Sequence, residues 1–65
     1  MKNVGQTITK LRVDREWTQH ELSRLSGIEQ SHISKLEHGA FSPNLKTLAA
    51  LAKAFDVSIS ELTGI

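Results

Sequence analysis

An all-α fold, a compact five-helix bundle, is what this sequence predicts, and three observations carry the prediction. Apolar residues recur three and four apart, as in Val4, Ile8 and Leu11, the spacing that places side chains on one face of a helix. Helix-start signals recur as well. Thr18-x-x-Glu21 and Ser58-x-x-Glu61 read as capping boxes, and Asn3 and Asn44 each stand ahead of an apolar stripe. Finally, no segment shows the strict alternation expected of a strand.

The first helix is expected over 4–15, starting after Asn3. The second, 18–26, opens on Thr18, buries Leu22 and Leu25, and ends at Gly27 as a left-handed C-cap. Trp17, just ahead of it, is expected to form the outer half of a hydrophobic staple against Leu22, with stacking on a nucleobase as the alternative. The third helix, 29–38, buries Ile33 and Leu36 and stops at Gly39. Phe41-Ser42-Pro43 reads as a loop, because proline disfavours helical geometry in the residue before it. Asn44 caps a strongly apolar helix over 45–55 carrying Leu45, Leu48, Leu51, Ala52 and Phe55. A last helix, 58–63, carries Ile59 and Leu62 and ends at Gly64. Val4, Ile8, Leu11, Leu22, Leu25, Ile28, Ile33, Leu36, Leu45, Leu48, Leu51, Phe55, Val57 and Leu62 make up the expected core.

With 65 residues the chain is read as one domain, 1–65, near the size limit for folding without staples. It contains no cysteine, which excludes disulfides and Cys-ligated zinc and suits a reducing cytosol. No apolar run approaches the ~20 residues of a membrane span, so a soluble cytoplasmic protein is expected. Net charge is only +1, although Lys2, Lys10, Arg12 and Arg15 cluster near the N-terminus against Asp14. Such a cluster is more often a solvated helix face than a phosphate contact.

Enzymatic readings find no support. His20-Glu21 opens like a zincin motif, but Arg24 stands where the second histidine is needed. His32 and His38 lack ligand partners at metal spacing, and Gly5, Gly27, Gly39 and Gly64 are scattered as caps and turns rather than gathered into a phosphate loop. Neither an active site nor a cofactor or metal is expected.

The informative stretch is Thr18 to Gly39, TQHELSRLSGIEQSHISKLEHG. Two short capped helices joined by a glycine turn describe a helix-turn-helix, whose second helix enters the DNA major groove. The outward face of that helix carries Gln30, Ser31, His32, Ser34 and Lys35, side chains able to hydrogen-bond to base edges.

From Val4 to Thr63 the chain resembles the phage repressor and Cro class of helix-turn-helix, the XRE family, with a lambda repressor-like DNA-binding fold. The segments WTQHELS, SGI, ISKLEHG and LAALAKAFDVSISEL carry the resemblance. It implies a sequence-specific double-stranded DNA-binding regulator, a repressor or an autoregulating controller. By the same resemblance Gln30, Ser31 and Lys35 are implied base readers, with His32 and Ser34 beside them. Gln19 is the implied phosphate anchor, helped by Thr18, Asn44 and Lys46 near the backbone, although Asn44 is better explained as a plain N-cap, a role compatible with facing a phosphate. Arg12 and Glu37 are the implied structural ion pair. The implied partner is a palindromic operator bound by a homodimer, with Ile59, Leu62 and Ile65 as dimer contacts or, for the first two, as core closure.

Two positions depart from the family pattern. Glu16 stands where Gly or Asn is usual and positive φ is expected. Glu29 stands where Ser or Thr usually caps the recognition helix, bringing a carboxylate towards DNA phosphates. This acid and the near-zero net charge favour a rival reading, a protein-interaction module that keeps the fold without binding DNA.

Overall fold

A computed structural model describes residues 3–40 and 42–64. Phe41 of the expected loop, Lys2 of the basic cluster and Ile65 of the expected dimer contact lie outside the described residues. Among those described, the chain forms five helices: α1 Val4–Asp14, α2 Gln19–Ser26, α3 Gln30–Glu37, α4 Leu45–Phe55 and α5 Ile59–Thr63. Four of them open on a side-chain cap. Asn3 accepts from the Gln6 amide, Thr18 from Glu21, Asn44 from Thr47 and Ser58 from Glu61, each satisfying an amide that the helix itself cannot. The box at Thr18 is only half closed, because the Glu21 carboxylate pairs with Arg24 at 2.6 Å instead of reaching back to the cap.

Three helices end on the same paired-bond turn, and glycine serves only one of them. After α1, Trp17 N–H donates to Arg12 O at 2.9 Å and Glu16 N–H to Val13 O at 2.9 Å, with Glu16 at φ 59°. After α4 the Val57 and Asp56 amides bond Ala52 O and Lys53 O around Asp56 at φ 58°. Gly39, at φ 76°, does the same for α3. These are Schellman ends, which recover carbonyls left over by the last turn. Asp56 was not anticipated from the sequence; Glu16 has the positive φ expected of it.

Ile8, Leu22, Ile33, Leu36, Leu51, Ala52, Phe55 and Leu62 are buried, with Val4, Leu11, Ile28, Leu48, Val57 and Ile59 packed around them. Two expected core residues are not in it. Leu45 is 71% exposed and Leu25 42% exposed. Leu45 is the first residue of α4, and Cα–Cβ bonds tilt towards a helix N-terminus, so its side chain leans off the end of the bundle. Leu25 is three residues beyond Leu22, about 60° round the helix from it, and falls at the edge of the buried stripe. Leu62 is fully buried and closes the core, which removes it from the expected dimer contacts.

Gly5 is neither a cap nor a turn. It lies buried inside α1, where a Cβ would collide with the carbonyl oxygen of Leu36 and sit 3.0 Å from that of Glu37. The absent side chain lets α1 approach the last turn of α3. The helix bearing the proposed reading face is thereby held against the backbone of α1.

Candidate nucleic-acid interface

The turn between α2 and α3 is fixed by local bonds. Gly27 adopts φ 78°, Ser26 Oγ accepts from the Ile28 amide at 3.2 Å, and Ser23 Oγ donates to the Ile28 carbonyl. Half-buried Ile28 packs on the core beneath the turn. The relative orientation of the two helices is thus set by three side chains within six residues of one another.

α3 is divided along its length. Ile33 and Leu36 are 0% and 2% exposed and face the core. Gln30, Ser31 and Lys35 are exposed, and Ser34 is half-buried among them. Because residues four apart are neighbours, Gln30 with Ser34 and Ser31 with Lys35 make a continuous polar strip. His32 is also half-buried. It turns towards a shallow groove of about 450 Å³ that it lines with Glu29, Lys46 and Thr47. Asn44 and Lys46 are exposed at the start of α4, and the Asn44 side chain is engaged as the cap, accepting from Thr47 N–H at 2.8 Å. Thr18 is likewise engaged by the Glu21 amide at 3.0 Å. Glu29 is exposed and makes no capping bond, so the departure at this position leaves α3 without a side-chain cap.

At the other end of α3 stands a polar cluster. Glu37 Oε2 accepts from Arg12 Nε at 2.8 Å and Oε1 from Arg12 Nη2 at 3.1 Å, a two-pronged pair. The remaining Arg12 amine, Nη1, donates to the Trp17 carbonyl at 2.8 Å. Gln19 Nε2 donates to Glu37 Oε1 at 3.1 Å, a contact the sequence did not suggest. The side chains of Arg12 and Glu37 are only 16% and 5% exposed. Burial by itself pushes the Glu37 carboxyl up. Hydrogen bonds from Arg12, Gln19 and Thr9, with the Arg12 charge, outweigh that and hold it below the usual carboxylate range. Arg12 is correspondingly raised by its bonds to Glu37.

The described cations of the N-terminal basic cluster, Lys10, Arg12 and Arg15, each have a partner within the chain. Lys10 pairs with Asp14 at 2.9 Å, Arg12 with Glu37, and Arg15 donates to the carbonyls of Leu11 and Phe55 at 3.0 Å. The Arg15 guanidinium also lies 5.7 Å from the Trp17 ring centroid and 5.3 Å from that of Phe55. Those two rings stack at 5.6 Å with 10° between planes. Phe55 is the stacking partner of Trp17, because the Schellman turn at Glu16 delivers the indole to the end of α4, and Trp17 packs against the buried cluster that contains Leu22. No group of three or more His, Asp or Glu among the described residues could hold a metal ion. None of the described helices is long and apolar enough to cross a membrane.

A helix-turn-helix family model matches residues 8–62 of the chain. The restriction-modification controller protein C.AhdI from Aeromonas hydrophila superimposes with a TM-score of 0.88 at 32% identity, over 92% of this chain and 91% of that one. The P22 c2 repressor protein, solved in complex with synthetic operator 9T, gives 0.86 at 29% identity, over 95% and 94% of the two chains. The immunity repressor protein of Bacillus phage phi105 is 33% identical over 61 residues, which is 94% of this chain and 42% of the repressor. Across other curated relatives the share of their length that the chain spans runs from 30% to 79%.

Proposed function

Because the chain belongs to the helix-turn-helix family of DNA-binding transcriptional regulators, which are not enzymes, we propose that it reads a specific duplex site through α3. The observation that carries this is the division of α3, with Gln30, Ser31 and Lys35 exposed on the side opposite sealed Ile33 and Leu36. Glutamine pairs with adenine N6 and N7, lysine with guanine O6 or N7, and serine with either, so these three are the base readers. Ser34 and His32 flank them. Gln19, Thr18, Asn44 and Lys46 are the phosphate contacts, at helix starts where unspent amides and the helix dipole favour an anion. With so few bases in reach of one helix, a homodimer on a palindromic operator supplies the specificity, its half-sites roughly 34 Å apart. The protein then acts in the cytoplasm as a repressor or autoregulating controller.

The test is selection of bound duplexes from a random pool, followed by affinity measurements on the recovered motif. Gln30→Ala and Lys35→Ala should each cost ~1–3 kcal/mol and relax specificity at one position. Recovery of no motif would reject the reading. It would favour a protein-interaction module on the same fold, for which one observation speaks: Lys10, Arg12 and Arg15 are all spent on intramolecular contacts.

A further inference from the structure

We propose that Glu37 is a positioning residue for DNA binding, one that orients the Gln19 carboxamide so that a single N–H is left to donate to a phosphate. The inference rests on the reading of Gln19 as a phosphate contact and deepens it. A phosphate oxygen only accepts hydrogen bonds, so the side chain of a glutamine can hold it only through the two hydrogens on Nε2. Left to itself an exposed carboxamide rotates and presents either end. Here Nε2 lies 3.1 Å from Glu37 Oε1, and the ionised carboxylate is also an acceptor only. Turning the amide over would set oxygen against oxygen. The Glu37 carboxylate therefore fixes which end of Gln19 carries the nitrogen.

Three features make Glu37 suited to this. Its side chain is 5% exposed, and two bonds from Arg12 hold it rigidly, so it is a fixed reference point. Arg12 also neutralises it, so the carboxylate can stand behind a phosphate contact without repelling the phosphate. Glu37 closes α3 and Gln19 opens α2, so their bond ties the start of one helix to the end of the other. The spacing between a backbone contact at Gln19 and a base contact at Lys35 is set by this link. Specificity requires such fixed spacing, because phosphate contacts set the register in which bases are read.

The experiment uses the full chain and the selected duplex, with Gln19→Ala, Glu37→Gln and the double variant, each confirmed folded by circular dichroism at the assay temperature. Gln19→Ala should weaken binding ~10-fold, the size of a hydrogen bond to a charged group. Glu37→Gln should weaken it comparably, since an amide at 37 whose oxygen is taken by Arg12 offers Gln19 a hydrogen instead of an acceptor. The double variant should bind no worse than the weaker single variant. If Glu37→Gln binds like the wild type while Gln19→Ala is weakened, or if the two losses multiply, the positioning role is overturned and the phosphate contact stands. If Gln19→Ala binds like the wild type, the side-chain phosphate contact itself is overturned. The free wild-type protein supplies a check that needs no Glu37 variant. The two Nε2 hydrogens of Gln19 should give well-separated, exchange-protected resonances, and overlap with those of exposed glutamines would overturn the positioning role.

Discussion

Arg12 donates to Glu37 twice and to the Trp17 carbonyl once, so removing it strands a nearly buried carboxylate and a carbonyl together. Breaking such a pair by deleting one partner costs several times more than the pair is worth against water. Arg12→Ala should destabilise by about 3 kcal/mol in denaturant titration; an unchanged midpoint would mean that the pair carries no such weight. The same cluster sets an acid limit. The folded Glu37 carboxyl lies below its ordinary value, so its contribution is complete above about pH 4.3 and is lost as pH falls through the folded value. Stability measured from pH 7 downwards should hold until that region and then drop, and Glu37→Gln should flatten the drop. Glu21 is lowered too, by its bonds from Arg24, but both side chains are solvated and add little. Glu16, at φ 59°, is a third point of leverage. A left-handed residue with a Cβ costs roughly 1 kcal/mol, partly offset by the freedom glycine has when unfolded. Glu16→Gly should therefore be neutral to mildly stabilising by thermal melting, and clear destabilisation would contradict the strain.

Among the helices, α3 is the least well finished at its start. Asn3, Thr18, Asn44 and Ser58 cap the other four, whereas Glu29 makes no capping bond. Glu29→Ser should add about 1 kcal/mol of stability. It should also tighten binding to any duplex, because a carboxylate facing phosphates is removed; equal affinity would place residue 29 away from the backbone. Helix starts were legible in the sequence because a cap is a contract among four consecutive residues. Helix ends were less so: Gly27, Gly39 and Gly64 announce left-handed turns, but Asp56 performs the same turn with nothing in its type to say so.

At the scale of the whole molecule, the contacts that the sequence hid are the ones that join distant segments. Leu25 and Leu45 share the apolar character of their neighbours, and it is their places, at the edge of the buried stripe of α2 and at the first residue of α4, that leave them facing water. Gly5 looked like punctuation until the last turn of α3 was set against it, and Gln19 and Glu37 meet across 18 positions of sequence. The candidate reading face was legible because α3 is short, periodic and locally bounded. Charge behaves at this scale too. With 8 Lys and Arg against 7 Asp and Glu, and with Lys10, Arg12 and Arg15 paired within the chain, little positive field remains to attract DNA at large. Binding to random duplex should be weak, and the log–log salt slope on the selected site should be shallow, corresponding to a few phosphates per subunit. A steep slope on random DNA would contradict this charge distribution.

The stack of Trp17 on Phe55 under the Arg15 guanidinium joins the α1–α2 turn to the end of α4. The chain has one tryptophan and no tyrosine, so this single indole supplies its near-ultraviolet emission. The molecule carries its own optical gauge of tertiary closure. Its brightness and colour follow whether a turn and a helix that are neighbours only in space are still in contact, while helicity follows each helix separately.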